Sequence, residues 1–226
     1  MSLRDRKRAR TRQALIDAAA ELFARKGYEA TTIADIAATA DIGARTFFSY
    51  FPSKEDLLFP EGDRRVRIAV EAIAHRSPDE EPADVLLRAL SAANDDSADL
   101  TGPLAALRIR LTMEVPAVRG RALQLLWESQ REIAGHLAAA YPDRLTEVSA
   151  AALVGAFVGA VTGALATLMR DPTRRADPAA IRESMQRATE IALRPWASQK
   201  CPGVSPHAGQ VSYSPSHGGT KPSSSG

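Results

Sequence analysis

The sequence predicts an all-α protein: a three-helix head carrying a helix-turn-helix, a larger helical domain, and a tail without packed structure. Three observations predict it. Apolar residues recur at three- and four-residue spacing in segment after segment. No run alternates apolar and polar residues as a half-buried strand does, and Pro, Gly and Asp clusters punctuate the chain at helix-like intervals. With 226 residues the chain is long enough for one or two cores.

From Arg10 to Lys26, Leu15, Ile16, Ala18, Ala19, Leu22 and Phe23 fall at helical spacing, and Gly27 supplies the stop. Thr31 and Thr32 offer hydroxyl caps to a short second helix through Ile33, Ile36 and Ala37 that ends near Ala40. Asp41-Ile42-Gly43 has room only for a tight turn, and a third helix, Ala44 to Phe51, runs until Pro52 stops it. Ser53 with Glu55 and Asp56 behind it marks a fourth helix start. That helix passes Leu57 and Leu58, is kinked or restarted at Pro60 and Gly62, and continues to about His75. Five more follow between breakers: Ala83 to Asn94, Leu104 to Glu114, Pro116 to Ala140, Arg144 to Met169 and Ala179 to Leu193. From Gln199 to Gly226, four Pro, five Gly and seven Ser leave too little apolar surface to pack, so disorder is expected there.

Charge is unevenly spread. The net is +2, yet residues 1–54 carry ten Lys/Arg against six Asp/Glu. Arg4, Arg6, Lys7, Arg8, Arg10 and Arg12 face only Asp5, a block that reads as a solvated arm or as a contact for phosphate or the minor groove. Cys201 stands alone, which excludes an internal disulfide framework and favours a reducing, cytoplasmic setting. The basic N-terminus is not followed by the apolar run of a secretory signal. His75, His136, His207 and His217 lack the spacing of a metal site, so neither a metal nor a cofactor is expected, and no catalytic constellation accompanies them.

The run DIGARTFFSYFPSKEDL, Asp41 to Leu57, holds Phe47, Phe48, Tyr50 and Phe51, four of the chain's twelve aromatic residues. At about 100° per residue, Ala44, Phe47 and Phe51 share a face that packs on the first two helices. Arg45, Thr46 and Ser49 then point away, with Phe48 and Tyr50 at the borders. Such a surface suits a major groove: Arg45 can pair with guanine, Phe48 can touch a thymine methyl, and Tyr50 can donate to phosphate. The competing arrangement packs Phe48 and Tyr50 beneath the fourth helix and leaves Arg45 solvated.

The run TTIADIAATADIGARTFFSYFPSKEDLL, Thr31 to Leu58, closely resembles the DNA-binding domain of TetR-family transcriptional regulators, and RTRQALIDAAAELFARKGYEATT before it is similar to their first helix. The resemblance covers about residues 8–58. It implies phosphate anchoring by Thr31 or Thr32, Tyr50 and Lys54, and base reading by Arg45, Thr46 and Phe48, with Arg8 in the basic arm. It also implies a ligand-released homodimeric repressor on a palindromic double-stranded operator, divided as residues 1–54, 55–197 and the tail 198–226. This chain departs from the family pattern at Asp41, where Gly is usual in the turn, and at Gly43, where a capping Ser is usual. Arg45 and Phe48 also replace common Gly and Tyr, so the base preference does not carry over.

Family members use the larger half to dimerise, commonly through the last two helices, and to hold a small ligand. Here Gly155, Gly159 and Gly163 stand four apart on one stripe with Ala151, which lets a neighbouring helix approach closely. Met185 of the last helix is placed with them at the interface. Leu104, Leu107, Leu111, Leu126, Trp127 and Phe157, with Arg108 and Gln130 as polar groups, suit the lining of a largely apolar effector pocket, although their types favour an ordinary core over it. The segment from Leu107 to Ala138 is more loosely similar to a type near the mycofactocin regulator, which implies acyl-thioester or other apolar ligands. Twenty-two residues without charge follow Glu147, long enough to span a membrane, but their Ala and Gly content and the charged helix after them argue for none. The rival functions are a non-specific architectural DNA-binding protein and an all-α enzyme.

Overall fold

Helices begin where the chain supplies partners for their first free N–H groups. The computed structural model describes residues 2–60, 62–95, 103–168 and 177–197. Its first helix, α1 (Leu3–Lys26), starts at such a place: Ser2 Oγ accepts from Asp5 N at 3.1 Å, and the Asp5 carboxylate accepts from Ser2 N at 2.9 Å. The expected helix from Arg10 therefore begins seven residues earlier, and the basic block is helical. Thr32 and Asp35 form the same reciprocal cap at α2 (Ile33–Thr39).

The third helix is shorter than its periodicity suggests. Regular geometry holds over α3 (Ala44–Phe47), and the chain then proceeds by turns, Tyr50 N donating to Phe47 O at 2.9 Å and Phe51 N to the same oxygen at 3.1 Å. Ser53 hydrogen-bonds the Asp56 carboxylate at 2.8 Å instead of capping a helix, so only a 3-10 turn, Glu55–Leu58, forms before the break at Phe59 and Pro60. Next come α4 (Gly62–Ala74), α5 (Pro82–Asp95), α6 (Pro103–Glu114), α7 (Pro116–Ala140), α8 (Glu147–Leu168) and α9 (Pro178–Ala197). Thr146 Oγ1 caps α8 through Ser149 N, and Asp177 caps α9 through Ala179 N and Ala180 N. No strand occurs among the described residues. The disorder expected of residues 198–226 lies outside them.

Two cores result. The larger joins α4, α5, α7, α8 and α9 around Leu86, Leu137, Leu153, Ile181 and Leu193. The other is the head's, built on Leu15, Phe23, Ile36, Phe47 and Phe51, and it also takes Leu57 and Leu58 from the 3-10 turn and Leu107, Leu111, Val115 and Val118 from α6 and the start of α7. Residues on both sides of position 54 thus share one core. Leu107 and Leu111, with Leu104 packed against them, face the head and not a ligand space. Met185 is corrected likewise: only 2% exposed, it lies in its own subunit's core and cannot meet a partner.

At the end of the bundle away from the head, Tyr141 closes the structure. Its hydroxyl donates to Glu80 O at 2.8 Å, while the Arg76 guanidinium lies 4.6 Å over its ring and donates to Ala140 O. Arg144 pairs with Glu81, and Arg88 with Glu80 at 2.8 Å.

Because α6 is wedged into the head core, Leu111→Ala is expected to cost about 2–5 kcal/mol. Urea unfolding followed at once by head and bundle probes should move both transitions together; separate transitions would show that the halves fold independently.

Candidate nucleic-acid interface

Helix α2 ends in a Schellman motif. Asp41, at φ 55°, is the left-handed residue; its N–H donates to Ala38 O at 3.1 Å and Ile42 N–H donates to Ala37 O at 2.9 Å. Aspartate tolerates this conformation better than most side chains, so the turn forms without the usual glycine. Gly43 then opens α3 with no side-chain cap.

Phe47 and Phe51 are 0% and 1% exposed, their rings 6.0 Å apart, and they anchor α3 on α1 and α2. Arg45, Thr46 and Ser49 are exposed, and Arg45 has no partner among the described residues. Phe48 is 60% exposed with its edge on Phe47. Tyr50 is half-buried. The split between buried and outward residues follows the angular expectation, save that Ala44 is exposed.

Two arginines from α1 reach across to this segment. Arg8 donates to Ser49 O at 3.3 Å and lies 5.5 Å over the Tyr50 ring. Arg12 donates to Tyr50 O and to Pro60 O, both at 3.2 Å, with its guanidinium 4.3 Å over Phe51. Sequence reasoning does not single out Arg12 for this role; its one signal is the four-residue spacing from Arg8, which places both on one helix face.

Two expected anchors have other work. Thr31 is 1% exposed, and its hydroxyl donates to Gly27 O at 2.7 Å, so the anchoring expected there can fall only to Thr32. Thr32 is exposed, and its hydroxyl meets the Asp35 carboxylate at 2.7 Å. Lys54 donates to Tyr28 O at 2.9 Å and Thr31 O at 3.0 Å, with its ammonium 3.9 Å over the Tyr28 ring. It pins the α1–α2 connection from within, so a free phosphate anchor is not what its geometry provides. Burial pushes the Tyr28 hydroxyl's pKa up, and its hydrogen bond to Glu55 adds to the rise. Asp35 is held well below the usual carboxylate range, first by the Lys26 ammonium at 2.8 Å and then by Thr32.

The residues expected to line a pocket divide three ways. Arg108, Leu126 and Phe157 line a cavity of about 280 Å3 between α4, α5, α7 and α8, together with Phe59, Arg65, Ser129 and Thr162. Leu104, Leu107 and Leu111 belong to the head. Trp127, 76% exposed, and Gln130 lie on an outer groove between α7 and α8. Of the interface stripe, Ala151, Gly159 and Gly163 are exposed and Gly155 is half-buried. Among the described residues no three His, Cys, Asp or Glu side chains gather as metal ligands.

Residues 15–59 match the family model described as bacterial regulatory proteins, tetR family. The chain is 31% identical over 142 residues to the HTH-type transcriptional regulator TcmR of Streptomyces glaucescens, a match spanning 61% of this chain and 63% of that protein. It is 48% identical over 44 residues to the HTH-type regulator YuxN of Bacillus subtilis, spanning 20% and 15%. The matches therefore span less than two thirds of either relative's length. Among solved structures, Thermus thermophilus FadR, a TetR-family repressor bound to lauroyl-CoA, superposes with TM-score 0.55 at 20% identity over 85% of this chain and 98% of that one. A TetR-family regulator from Syntrophomonas wolfei gives 0.57 at 16%, over 81% and 95%. At such identities these likenesses show the fold.

Two substitutions test the local geometry. Asp41→Gly is expected to leave stability unchanged or slightly raised, whereas Asp41→Ala should lose about 1 kcal/mol through its positive φ. Lys54→Ala should lose about 1–3 kcal/mol in urea unfolding without any DNA present. Unchanged stability with weakened DNA binding would return Lys54 to the phosphate set.

Proposed function

We propose that the chain belongs to the TetR family of bacterial regulatory proteins, whose model its residues 15–59 match, and that it is a sequence-specific DNA-binding transcriptional regulator: a cytoplasmic, homodimeric repressor released from a palindromic operator by a small ligand. The observation that carries this is the outward side of α3. Arg45, Thr46, Ser49 and a Phe48 that is 60% exposed stand together over a fully buried Phe47 and Phe51. A large apolar ring left in water beside an unpartnered guanidinium suits a groove better than it suits solvent. In this reading Arg45 reads a base, with Thr46 and Phe48 beside it. Thr32, Tyr50 and Arg8 position the head on phosphates.

Two heads must meet successive major-groove faces about 34–36 Å apart. The second copy is supported by α8, a 22-residue helix whose most apolar 18-residue stretch has mean hydropathy 2.0 and is only 28% buried within the subunit. A Cβ added at Gly155, Gly159 or Gly163 meets nothing within 4 Å, so these glycines answer no need of the subunit's own packing. Each costs roughly 1 kcal/mol relative to Ala in a helix interior, and close approach of a partner helix offsets it. That use, and not a membrane, is our reading of the apolar run.

The effector is proposed to occupy the 280 Å3 cavity. Its walls are mainly apolar, with Ser129, Thr162 and the guanidinium groups of Arg65 and Arg108 among them, which fits a small, largely apolar molecule bearing a hydrogen-bond acceptor. Coupling to the head has a physical path. Helix α6 presents Arg108 to the cavity and Leu107 and Leu111 to the head core, and Phe59 lines the cavity one residue before Pro60, whose carbonyl accepts from Arg12. A ligand that prefers another placement of α6 or Phe59 shifts the head spacing by that preference alone.

Genomic fragments retained by the purified protein supply the operator. On it, Arg45→Ala should cost about 1–3 kcal/mol while leaving affinity for unrelated duplex unchanged. Equal loss on all sequences would favour an architectural DNA-binding protein instead. Replacing Arg4, Arg6 and Lys7 by Ala should weaken binding evenly and flatten the slope of log K against log salt by about 1 for each phosphate no longer neutralised.

A further inference from the structure

The polar groups of the central cavity are sorted by role. Every charged side chain among the described residues that line it is a guanidinium: Arg65 of α4, exposed, and Arg108 of α6, 9% exposed. No Asp or Glu stands with them among those residues. A guanidinium presents five N–H donors in a planar fork and no acceptor, and the fork fits both oxygens of a carboxylate. Both arginines have contacts within the subunit, and five donors allow a ligand's oxygens besides. In apolar surroundings charges attract more strongly than in water, so two such groups select an anion over a neutral acceptor. The hydroxyls on α7 and α8 have the opposite role. Ser129 Oγ donates to Leu125 O at 2.8 Å, and Thr162 Oγ1 donates to Val158 O at 2.8 Å. Each proton is used within its own helix, so each hydroxyl offers the cavity lone pairs only.

We infer that the effector is a small apolar acid bearing a hydroxyl: Arg108 and Arg65 take its carboxylate, Ser129 or Thr162 accepts from its hydroxyl, and its hydrocarbon lies against Phe59, Leu126 and Phe157. The inference rests on the ligand-released regulator proposed above and names the chemistry of its ligand. Size bounds the class from above. The cavity measures about 280 Å3, and at about 30 Å3 for each water-sized group it holds a ring with a short chain. An acyl-thioester with its nucleotide carrier, which the looser sequence resemblance implies, is too large for it. The charge also falls where release needs it. Arg108 stands on α6 beside Leu107 and one turn before Leu111, both in the head core, and Arg65 stands on α4, which follows Pro60. A carboxylate therefore acts on the two helices that lead to the head, while the hydroxyl is held by α7 or α8. An uncharged analogue fills the same space without that pull, and so has less preference between the two placements of the head.

The test is titration calorimetry of the full chain, without DNA, against hydroxyphenylpropanoate, hydroxynaphthoate and hydroxyoctanoate, each beside its primary amide and its deoxy analogue. At least one acid is expected to bind, its amide about tenfold or more weaker and its deoxy analogue about twofold to tenfold weaker. Arg108→Gln should abolish the preference for acid over amide and keep the preference for the hydroxyl. Ser129→Ala combined with Thr162→Val should do the reverse. On the operator recovered from genomic fragments, the acid should release the protein at concentrations where its amide does not. The ratio of acid to amide is read on the unaltered chain, so a variant that fails to fold does not obscure it. Amides that bind as well as acids, deoxy analogues that bind as well as their parents, an acyl-coenzyme A that binds where the acids do not, or no binding by any of the three acids would overturn the inference. Each of these leaves the regulator standing if operator fragments are still retained with discrimination. A chain that binds the acids as expected yet retains no genomic fragment would overturn the regulator and keep the chemistry of the cavity.

Discussion

A helix of four residues cannot hold its own shape. The first turn of any helix fixes several dihedrals for one hydrogen bond, and α3 has almost nothing beyond that turn to recover the cost. What holds it is outside it. Phe47 and Phe51 are pressed into α1 and α2, and Arg12 closes the far end by donating to Tyr50 O and Pro60 O while its guanidinium lies on Phe51. One side chain on α1 therefore sets where the segment from Ala44 to Phe51 ends and where the chain leaves the head. The outward residues are positioned only as well as this clamp positions them.

The same clamp joins the two halves. Pro60 belongs to the link into α4, and Phe59 beside it lines the central cavity. From the opposite direction α6 inserts Leu107 and Leu111 into the head core, and Arg121 of α7 bonds Asp56 in the 3-10 turn at 2.7 Å. Three separate contacts, apolar, ionic and backbone-directed, thus meet around the turn Glu55–Leu58. A head attached through one flexible linker could not sense a cavity. This head shares its core with a helix that lines one, and a packed core responds to a shift by moving as a unit.

How much of this is legible in the sequence depends on the range of the signal. The Thr32–Asp35 cap, the turn at Asp41 and the split between Phe47/Phe51 and Arg45/Thr46 are written within a few residues, and periodicity resolves them. The early start of α1 escapes sequence reasoning because the Ser2–Asp5 cap lies inside a run of like charges that argues for a mobile arm. Thr31 and Lys54 illustrate the opposite failure. Their residue types suit phosphate, yet their partners, Gly27 O and Tyr28 O, are backbone groups that no side-chain pattern announces. Leu107 and Leu111 show that helical spacing reveals an apolar face and not what the face meets. Met185 and Trp127 are the paired case: both are apolar residues on amphipathic helices, and only tertiary packing decides that the first is enclosed and the second exposed.

The helical basic segment carries a further consequence for binding. Arg4, Arg8 and Arg12 lie four residues apart, as do Arg6 and Arg10, and like charges at that spacing each destabilise a helix by about 0.2–0.5 kcal/mol. Cations in the first turns also oppose the helix dipole. The Ser2–Asp5 box and the bonds from Arg8 and Arg12 to the carbonyls of Ser49 and Tyr50 offset this within the free protein. The offset is local, and the repulsion is not removed. On the proposed operator, phosphates set beside α1 would remove it, turning each unfavourable cation into a favourable one while releasing counterions. Helical order in this segment places charge in a fixed row beside Tyr50 and Ser49, so in the proposed complex the ordering entropy of a mobile arm would not be lost on binding.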